Sequence, residues 1–226
     1  MGRCIVAGGN PDMAAPVAGI LLSSIAEGSI VKLNENGSPV EFYVAKHDYE
    51  SSLNGAGRTL VVRKDCYDTR VWHSSNVNAW ASCTLRSWLN GDYLNLLDED
   101  IRGVIGATKY YYTPGNGTTS VTTRSDAVFQ LSVTELGKTA SYANAEGTAL
   151  PIASTLRIAY RNGSKVIQWT RSPNSDVTNY AYFLNTNGDV GYVSCASTFE
   201  SRPCFTLPSG ACFDEETMLF NGKVAA

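Results

Sequence analysis

Short runs of alternating apolar and polar residues occupy the first and last thirds of the chain, with turn-forming residues between them. Residues 30–33 and 40–44 flank an Asn- and Gly-containing turn, which predicts a β-hairpin, and 60–62 predicts a third strand. The segment 185–189, Asn-Thr-Asn-Gly-Asp, predicts a second hairpin turn. Further strands are predicted at 128–131, 166–169, 181–184, 190–193 and 204–207.

The middle of the chain follows a helical period instead. Apolar residues within 85–89 stand at helical spacing, and Gly91 is placed to end that helix. A second short helix is predicted over 98–105, where acidic residues favour the first turn. Ser132 and Glu135 have the spacing of a capping box. Strands early, helices in the middle and strands late predict an α+β domain with one antiparallel sheet flanked by two helices.

The composition divides the chain into two parts. Residues 1–27 are rich in small residues, glycine, alanine and proline, and we expect an arm or attachment segment that packs on a neighbour or on the domain edge. The folded domain is expected over 28–226. No apolar run has the length of a signal peptide or a membrane span, so we expect a protein made in the cytosol without membrane insertion. A net charge of −3 with dispersed basic residues disfavours nucleic acid as a partner.

Candidate chemistry is sparse. Without an export signal, we expect reduced and buried thiols rather than disulfides at the six cysteines, Cys4, Cys66, Cys83, Cys195, Cys204 and Cys212. The chain lacks a Cys-x-x-Cys pair and the motifs of calcium-dependent lectins, so neither a metal nor a cofactor is expected. His73 is expected to be a hydrogen-bonded structural residue. No nucleophile elbow, P-loop or His-Glu-x-x-His motif occurs, which argues against an enzyme and gives no catalytic residue.

Four segments in order resemble the signatures of one large bacterial family, the DUF6273 type: 85–90 (Leu-Arg-Ser-Trp-Leu-Asn), 129–137, 169–173 (Trp-Thr-Arg-Ser-Pro) and 202–208. Cys204 stands where that family usually has a small residue such as alanine. Members of the family resemble prophage products, and their ending is similar to C-type-lectin-like domains of the formylglycine-generating-enzyme type. The resemblance implies a loop-rich C-type-lectin-like fold, with small antiparallel sheets flanked by two helices. It also implies a protein made in the bacterial cytoplasm and assembled into a virion.

Two segments, 174–182 and 192–199, have the Tyr, Asn and Ser content of adaptable binding surfaces. We expect ligand-binding residues on one exposed face at Asn174, Asn179, Tyr180, Tyr182, Asn187, Tyr192, Ser194, Ser197 and Phe199. Ordinary turn chemistry is the alternative for the polar members, and strand alternation leaves open that Tyr182 points inward. Trp169, Arg171 and Arg202 are expected to be scaffold residues.

These patterns lead to a ranked set of functions. The first is a non-enzymatic ligand-binding module of a phage or prophage particle, of the tail-associated adhesin or receptor-binding type. Its expected partners are a host-cell surface protein or glycan, other virion or tail proteins, and further copies of itself. The first alternative is a structural virion component, namely a collar, baseplate or decoration protein. The second is a formylglycine-generating-enzyme-like catalyst, for which Cys195 with Cys204 is the only pairing to consider. The polar loop 110–120 would extend the binding face or contact a neighbouring subunit.

Overall fold

The computed structural model of the chain describes residues 3–4 and 19–225. Strands form most of their regular structure. In chain order they are β1 (Arg3–Cys4), β2 (Gly19–Leu21), β3 (Ile30–Glu35), β4 (Ser38–Lys46), β5 (Arg58–Arg63), β6 (Asp68–Val71), β7 (Thr108–Tyr112), β8 (Thr122–Asp126), β9 (Ala159–Arg161), β10 (Ser164–Val166), β11 (Gln168–Pro173), β12 (Tyr180–Leu184), β13 (Val190–Ser194), β14 (Thr198–Ser201), β15 (Cys204–Pro208), β16 (Ala211–Asp214) and β17 (Phe220–Val224).

Helices are short. The α-helices are α1 (Ser51–Asn54), α2 (Thr84–Trp88), α3 (Glu99–Val104) and α4 (Ala153–Leu156), and single 3₁₀ turns lie at Leu22–Ser24 and Trp80–Ser82. Both predicted helices are present, but α2 continues through a π-helical segment, Leu89–Tyr93, into a 3₁₀ turn, Leu94–Leu96. The predicted helix end at Gly91 is therefore wrong. Burial of Tyr93, whose phenol donates a 2.6 Å hydrogen bond to Glu35, favours continued helical structure beyond the glycine.

The described chain forms several small, mostly antiparallel sheets, as expected of the fold class, rather than one sheet closed by its two ends. Their strand orders are β1-β2-β16-β17, β15-β5-β4-β3 and β13-β12-β11-β14-β6, with two further hairpins, β7-β8 and β9-β10. Pairing is antiparallel except between β11 and β14, where Gln168 lies opposite Glu200 in a parallel pair. The predicted strand at 128–131 forms only one bridge, Phe129 with Cys204. Alternation along one segment does not specify which distant strand will be its neighbour, so these pairings were not predicted.

One core joins the beginning and the end of the described chain. Strand β5 pairs with β15, β6 with β14 and β2 with β16. Leu22 and Ile25 are buried in this core, so the described part of the predicted arm, 19–27, packs into the domain. The rest of that predicted arm, apart from the backbone of β1, lies outside the described residues. Among the helices of the described chain, none is long and apolar enough to cross a membrane.

The cysteines correct one expectation. Cys66, Cys83, Cys195 and Cys204 are free and buried, as predicted for inert thiols. Cys212, by contrast, is disulfide-bonded, so the expectation of six reduced thiols is wrong. A disulfide requires two Cβ atoms about 3.5–4.5 Å apart, a tertiary relation that spacing along the chain does not reveal.

Candidate binding surface

Asn78 holds together the loops beneath the candidate surface. Its buried side-chain amide donates hydrogen bonds of 2.6, 3.1 and 2.8 Å to the backbone oxygens of Asn174, Val177 and Tyr180. Its side-chain oxygen accepts a 2.7 Å hydrogen bond from the Asn116 N–H. The neighbouring Gly115 has φ +88°, and a Cβ there would lie 1.8 Å from the Asn78 backbone oxygen. Only glycine permits this approach, so the loop predicted at 110–120 lies against the segment 174–180.

Asn174 shapes the first predicted binding segment from below. Its side-chain oxygen accepts hydrogen bonds from the N–H groups of Asp176 and Val177, at 2.8 and 2.9 Å. Its side-chain nitrogen lies 3.3 Å from the Tyr182 phenol oxygen. Asn174 is fully buried, so the expectation that it lies on an exposed binding face is wrong. Its side-chain amide stabilises the turn instead, which is the ordinary turn chemistry that was the alternative to ligand binding.

The β12–β13 hairpin brings three of the predicted tyrosines together. Tyr182 lies opposite Tyr192, and Tyr180 lies opposite Ser194. The Tyr192 ring centroid is 5.8 Å from that of Tyr180 and 5.8 Å from that of Tyr182. Tyr192 is nevertheless 53% exposed, and Tyr180 is half-buried. The predicted adjacency of these rings is confirmed.

Tyr182 does not have the predicted exposure. Its side chain is 1% exposed, so the inward orientation that alternation left open is the correct one. Burial raises the pKa of its phenol, and a hydrogen bond with the Tyr142 backbone opposes that rise. Tyr142 is itself 47% exposed, and its carbonyl accepts hydrogen bonds of 3.0 Å from the N–H and the hydroxyl of Ser175. We call Tyr142, Tyr180 and Tyr192, together with the buried Tyr182 that packs against Tyr192, the tyrosine surface.

Phe199 lies on the other side of the same sheet. Its ring is 4.9 Å from Trp169 and 4.9 Å from Phe183. Phe183 neighbours Tyr182 in β12, and successive side chains of a strand point to opposite faces. The prediction of one common face is therefore wrong for Phe199. Asn187 is exposed, but it lies in the hairpin turn, at the opposite end of the strands from Tyr180.

The predicted serines and Asn179 surround the open end of the hairpin. The Ser194 hydroxyl donates a 2.7 Å hydrogen bond to the Asn76 side chain, so it is already engaged. The Ser197 N–H donates to the Ser194 carbonyl at 2.9 Å in a tight turn. The side-chain amide of Asn179 is part-exposed and has no hydrogen-bond partner within residues 19–225. Beside the rings, the Asn179 amide therefore offers polar groups to a ligand.

A fully buried ion pair lies in the core. Arg171 donates a 2.5 Å hydrogen bond to Glu135, and it also donates to the backbone oxygens of Gln130 and Tyr111 at 2.8–3.0 Å. The Tyr49 phenol donates to the other Glu135 oxygen. Ser132 and Glu135 form the predicted capping box. The Ser132 N–H donates a 2.9 Å hydrogen bond to the Glu135 carboxylate, and the Glu135 N–H donates a 3.0 Å hydrogen bond to the Ser132 hydroxyl oxygen.

Arg171, Glu135 and Ser132 lie in the segment of the chain that matches a family model. Residues 56–209, more than half of the chain, match the model of a family described as Domain of unknown function (DUF6273). The chain belongs to the DUF6273 family. No curated protein and no solved structure matches the chain.

The DUF6273 signature residues are scaffold residues, as predicted. The Trp169 indole N–H donates to the Arg70 carbonyl at 2.8 Å, and Arg202 donates to the carbonyls of Arg63, Lys64 and Leu156. In the 85–90 signature, Arg86 pairs with Asp126 through two hydrogen bonds of 2.5 and 2.9 Å. His73 is hydrogen-bonded to Thr84, as expected of a structural histidine. The signature side chains thus hold neighbouring backbone segments together through buried polar contacts.

Metal ligands and thiols are the two kinds of reactive group that bear on the chemistry of the described domain. In the part of the chain that the structure covers, no three His, Cys, Asp or Glu side chains are grouped so as to hold a metal ion. Burial raises the pKa of the thiols of Cys66, Cys83 and Cys195 to about 12 each. Tyr142 was missed as a site residue, because the local composition of its segment does not point to the tyrosine surface.

Proposed function

We propose that this DUF6273 protein is a non-enzymatic binding module whose tyrosine surface contacts the ligand. The observation that carries the proposal is the packing of Tyr180 and Tyr182 around Tyr192, which stays 53% exposed. Ring-to-ring contacts orient Tyr192 before any ligand arrives, so little side-chain entropy is lost on binding. A clustered tyrosine surface offers a large amphipathic contact area together with phenol hydrogen bonds.

The finer parts of the proposal rest on family resemblance. A C-type-lectin-like fold, a place on a phage or prophage particle, and a host-cell surface protein or glycan as the ligand are supported by the four signature segments. The loop-rich arrangement of small sheets is compatible with that fold. The net charge of −3 points to recognition by contact and hydrogen bonding rather than by a strong electrostatic field.

The burial of the thiols supports binding over catalysis. A formylglycine-generating-enzyme-like mechanism needs reactive cysteines, and Cys195 with Cys204 was the pairing to consider. Both thiols are buried, and burial raises the pKa of each, that of Cys195 to about 12. Reactive cysteines are found in partly exposed, electropositive surroundings that lower the thiol pKa. The environment of Cys195 and Cys204 has the opposite effect.

Attachment to cells tests the proposal. The fluorescently labelled protein is incubated with intact cells of a panel of bacterial strains, and with polysaccharide purified from their walls. Tyr180→Ala with Tyr192→Ala should abolish attachment, because aromatic anchors contribute about 2 kcal/mol each, or roughly 30-fold in affinity per ring. Protease treatment of the cells distinguishes a protein ligand, whose signal is lost, from a glycan ligand.

Tyr160→Ala is the matched control. Tyr160 is 40% exposed, but it lies in β9 and takes no part in the ring contacts of Tyr192 with Tyr180 and Tyr182. The control should attach as the wild-type protein does. Attachment by the folded double variant at wild-type affinity would refute the proposal. Equal losses in the double variant and the control would also refute it, since a general surface effect would then explain the result.

A further inference from the structure

The outer edge of β13 carries backbone groups that no described strand pairs with. Strand β13 is the terminal strand of the five-stranded sheet, and its register with β12 is continuous. Backbone hydrogen bonds join Asn185 to Asp189 and Cys195 to Asn179 at the two ends of this ladder. Hydrogen-bonded pairs alternate along an antiparallel ladder, so Gly191 and Val193 bond to β12. The N–H and C=O groups of Tyr192 therefore point outward, as do those of Val190.

The two edges of this sheet differ in their protection. Strand β6, at the far edge, has the sequence Asp-Thr-Arg-Val, and Asp68 forms ion pairs with Arg70 and Arg161. Strand β13 has the sequence Val-Gly-Tyr-Val-Ser, without a charge, a proline or a bulge. Charges, prolines and bulges are the usual means by which an edge strand avoids pairing with another chain. The β13 edge lacks all three.

We propose that β13 pairs with β13 of a second copy of this chain, antiparallel and centred on Tyr192. A twofold axis perpendicular to the sheet would place Tyr192 opposite Tyr192 of the second copy, and Val190 opposite Ser194 of the second copy. An uncharged strand meets no like-charge repulsion when it pairs with itself, and facing aromatic residues add to strand pairing. The outward N–H and C=O groups of each Tyr192 then satisfy one another.

The dimer would enlarge the binding site. Such a twofold axis keeps the same face of both sheets on one side, so the two tyrosine surfaces become one continuous surface. Each copy contributes its Tyr180 and Tyr192 to a shared site, which favours a ligand that is long or repetitive. This functional consequence rests on the proposed function, whereas the strand pairing itself does not.

Sedimentation velocity without ligand tests the pairing, using the wild-type chain and three variants at one position. The wild-type chain should sediment as a dimer in a concentration-dependent manner. Among the backbone hydrogen-bonding groups, Tyr192→Pro removes only one N–H, which points outward. This variant should therefore sediment as a monomer while keeping the backbone hydrogen bonds between β12 and β13. Tyr192→Lys should be monomeric at low salt and dimerise again at high salt, because two ammonium groups would face each other and salt screens them. Tyr192→Ala keeps the backbone donor and should remain dimeric.

Two results would contradict the proposed pairing of β13 with β13. A wild-type chain that is monomeric up to about 0.1 mM would overturn the inference. So would a Tyr192→Lys variant as dimeric as wild type at low salt, a test that does not depend on the folding of the proline variant. A monomeric wild-type chain that still attaches to cells would refute the dimer and leave the proposed function standing. A dimer that attaches to no cell or polysaccharide would support the strand pairing and refute the proposed function.

Discussion

The ion pair between Arg171 and Glu135 gives a sharp prediction for stability. Both side chains are fully buried, and the guanidinium also donates to backbone oxygens of Gln130 and Tyr111. Arg171→Met keeps much of the apolar length of the side chain but removes its charge and all of its donors. Glu135 would then keep only the Tyr49 phenol and the Ser132 N–H as hydrogen-bond partners.

The size of the loss follows from this environment. Removing one partner of a buried pair leaves an uncompensated charge and costs about 3–5 kcal/mol. Each carbonyl left without a donor adds to the loss. For a domain of 150–250 residues, 1 kcal/mol corresponds to roughly 2–4 °C, so the midpoint of thermal unfolding should fall by about 6–20 °C.

Urea titration followed by circular dichroism measures this loss. The control is Arg161→Met, whose ion pairs with Asp68 and Glu200 are 3.3 Å long and partly exposed. Such pairs contribute about 0–1 kcal/mol, so the control should unfold near the wild-type midpoint. In Arg171→Met combined with Glu135→Leu, no buried charge is stranded, so the double variant should lose less than the sum of the single losses. The reasoning would be refuted if the free energy of unfolding of Arg171→Met lay within about 1 kcal/mol of the wild-type value, because an exposed ion pair contributes up to about that much.

Three further predictions concern other parts of the molecule. Gly191→Ala should destabilise the domain by about 1–3 kcal/mol, because the added Cβ would lie 2.4 Å from the Phe183 ring. Gly103→Ala is the control and should be neutral or stabilising, because there is open space around Gly103. Thermal unfolding measurements compare the two variants. Burial raises the pKa of the Glu50 carboxyl, so its contribution to stability is full below pH 4.5 and is lost as the pH rises through the raised pKa. Glu50→Gln should remove this pH dependence of the urea midpoint, and an unchanged profile would contradict it. Ellman's reagent should leave the four buried free thiols unmodified in the native protein and modify them after denaturation.

The elements that local chemistry determines were predictable. The hairpins β3–β4 and β12–β13 combine alternating strands with Asn-Gly turns, and both formed where predicted. The capping box at Ser132 also formed, although the chain makes only a turn there and reaches φ +64° at Gly137. A capping box stabilises a first turn, but it does not provide the apolar period that would continue a helix.

The candidate site was predictable only in part, for a similar reason. Tyr180 and Tyr192 were expected together because one short turn connects their strands. Phe199 was misplaced because its face depends on the register of β14 against β11, a parallel pairing between distant segments. Tyr142 joins the surface through backbone contacts with Ser175 and Tyr182, and no local pattern announces such contacts. The prediction therefore failed wherever the position of a side chain depends on a long-range pairing.

The pairing of early strands with late strands has a consequence for biosynthesis. Strand β5 can pair with β15 only after the chain has been synthesised as far as Cys204, which lies opposite Val62. In the same way, β2 can pair with β16 only after β16 has been synthesised. A chain with such high contact order folds slowly, because loop closure must precede the contacts that reward it. During translation the ribosome releases β3, β4 and β5 long before their sheet can be completed. The nascent chain therefore exposes an unpaired β5 edge until about residue 208 has emerged, and during that time the edge is open to pairing with other chains.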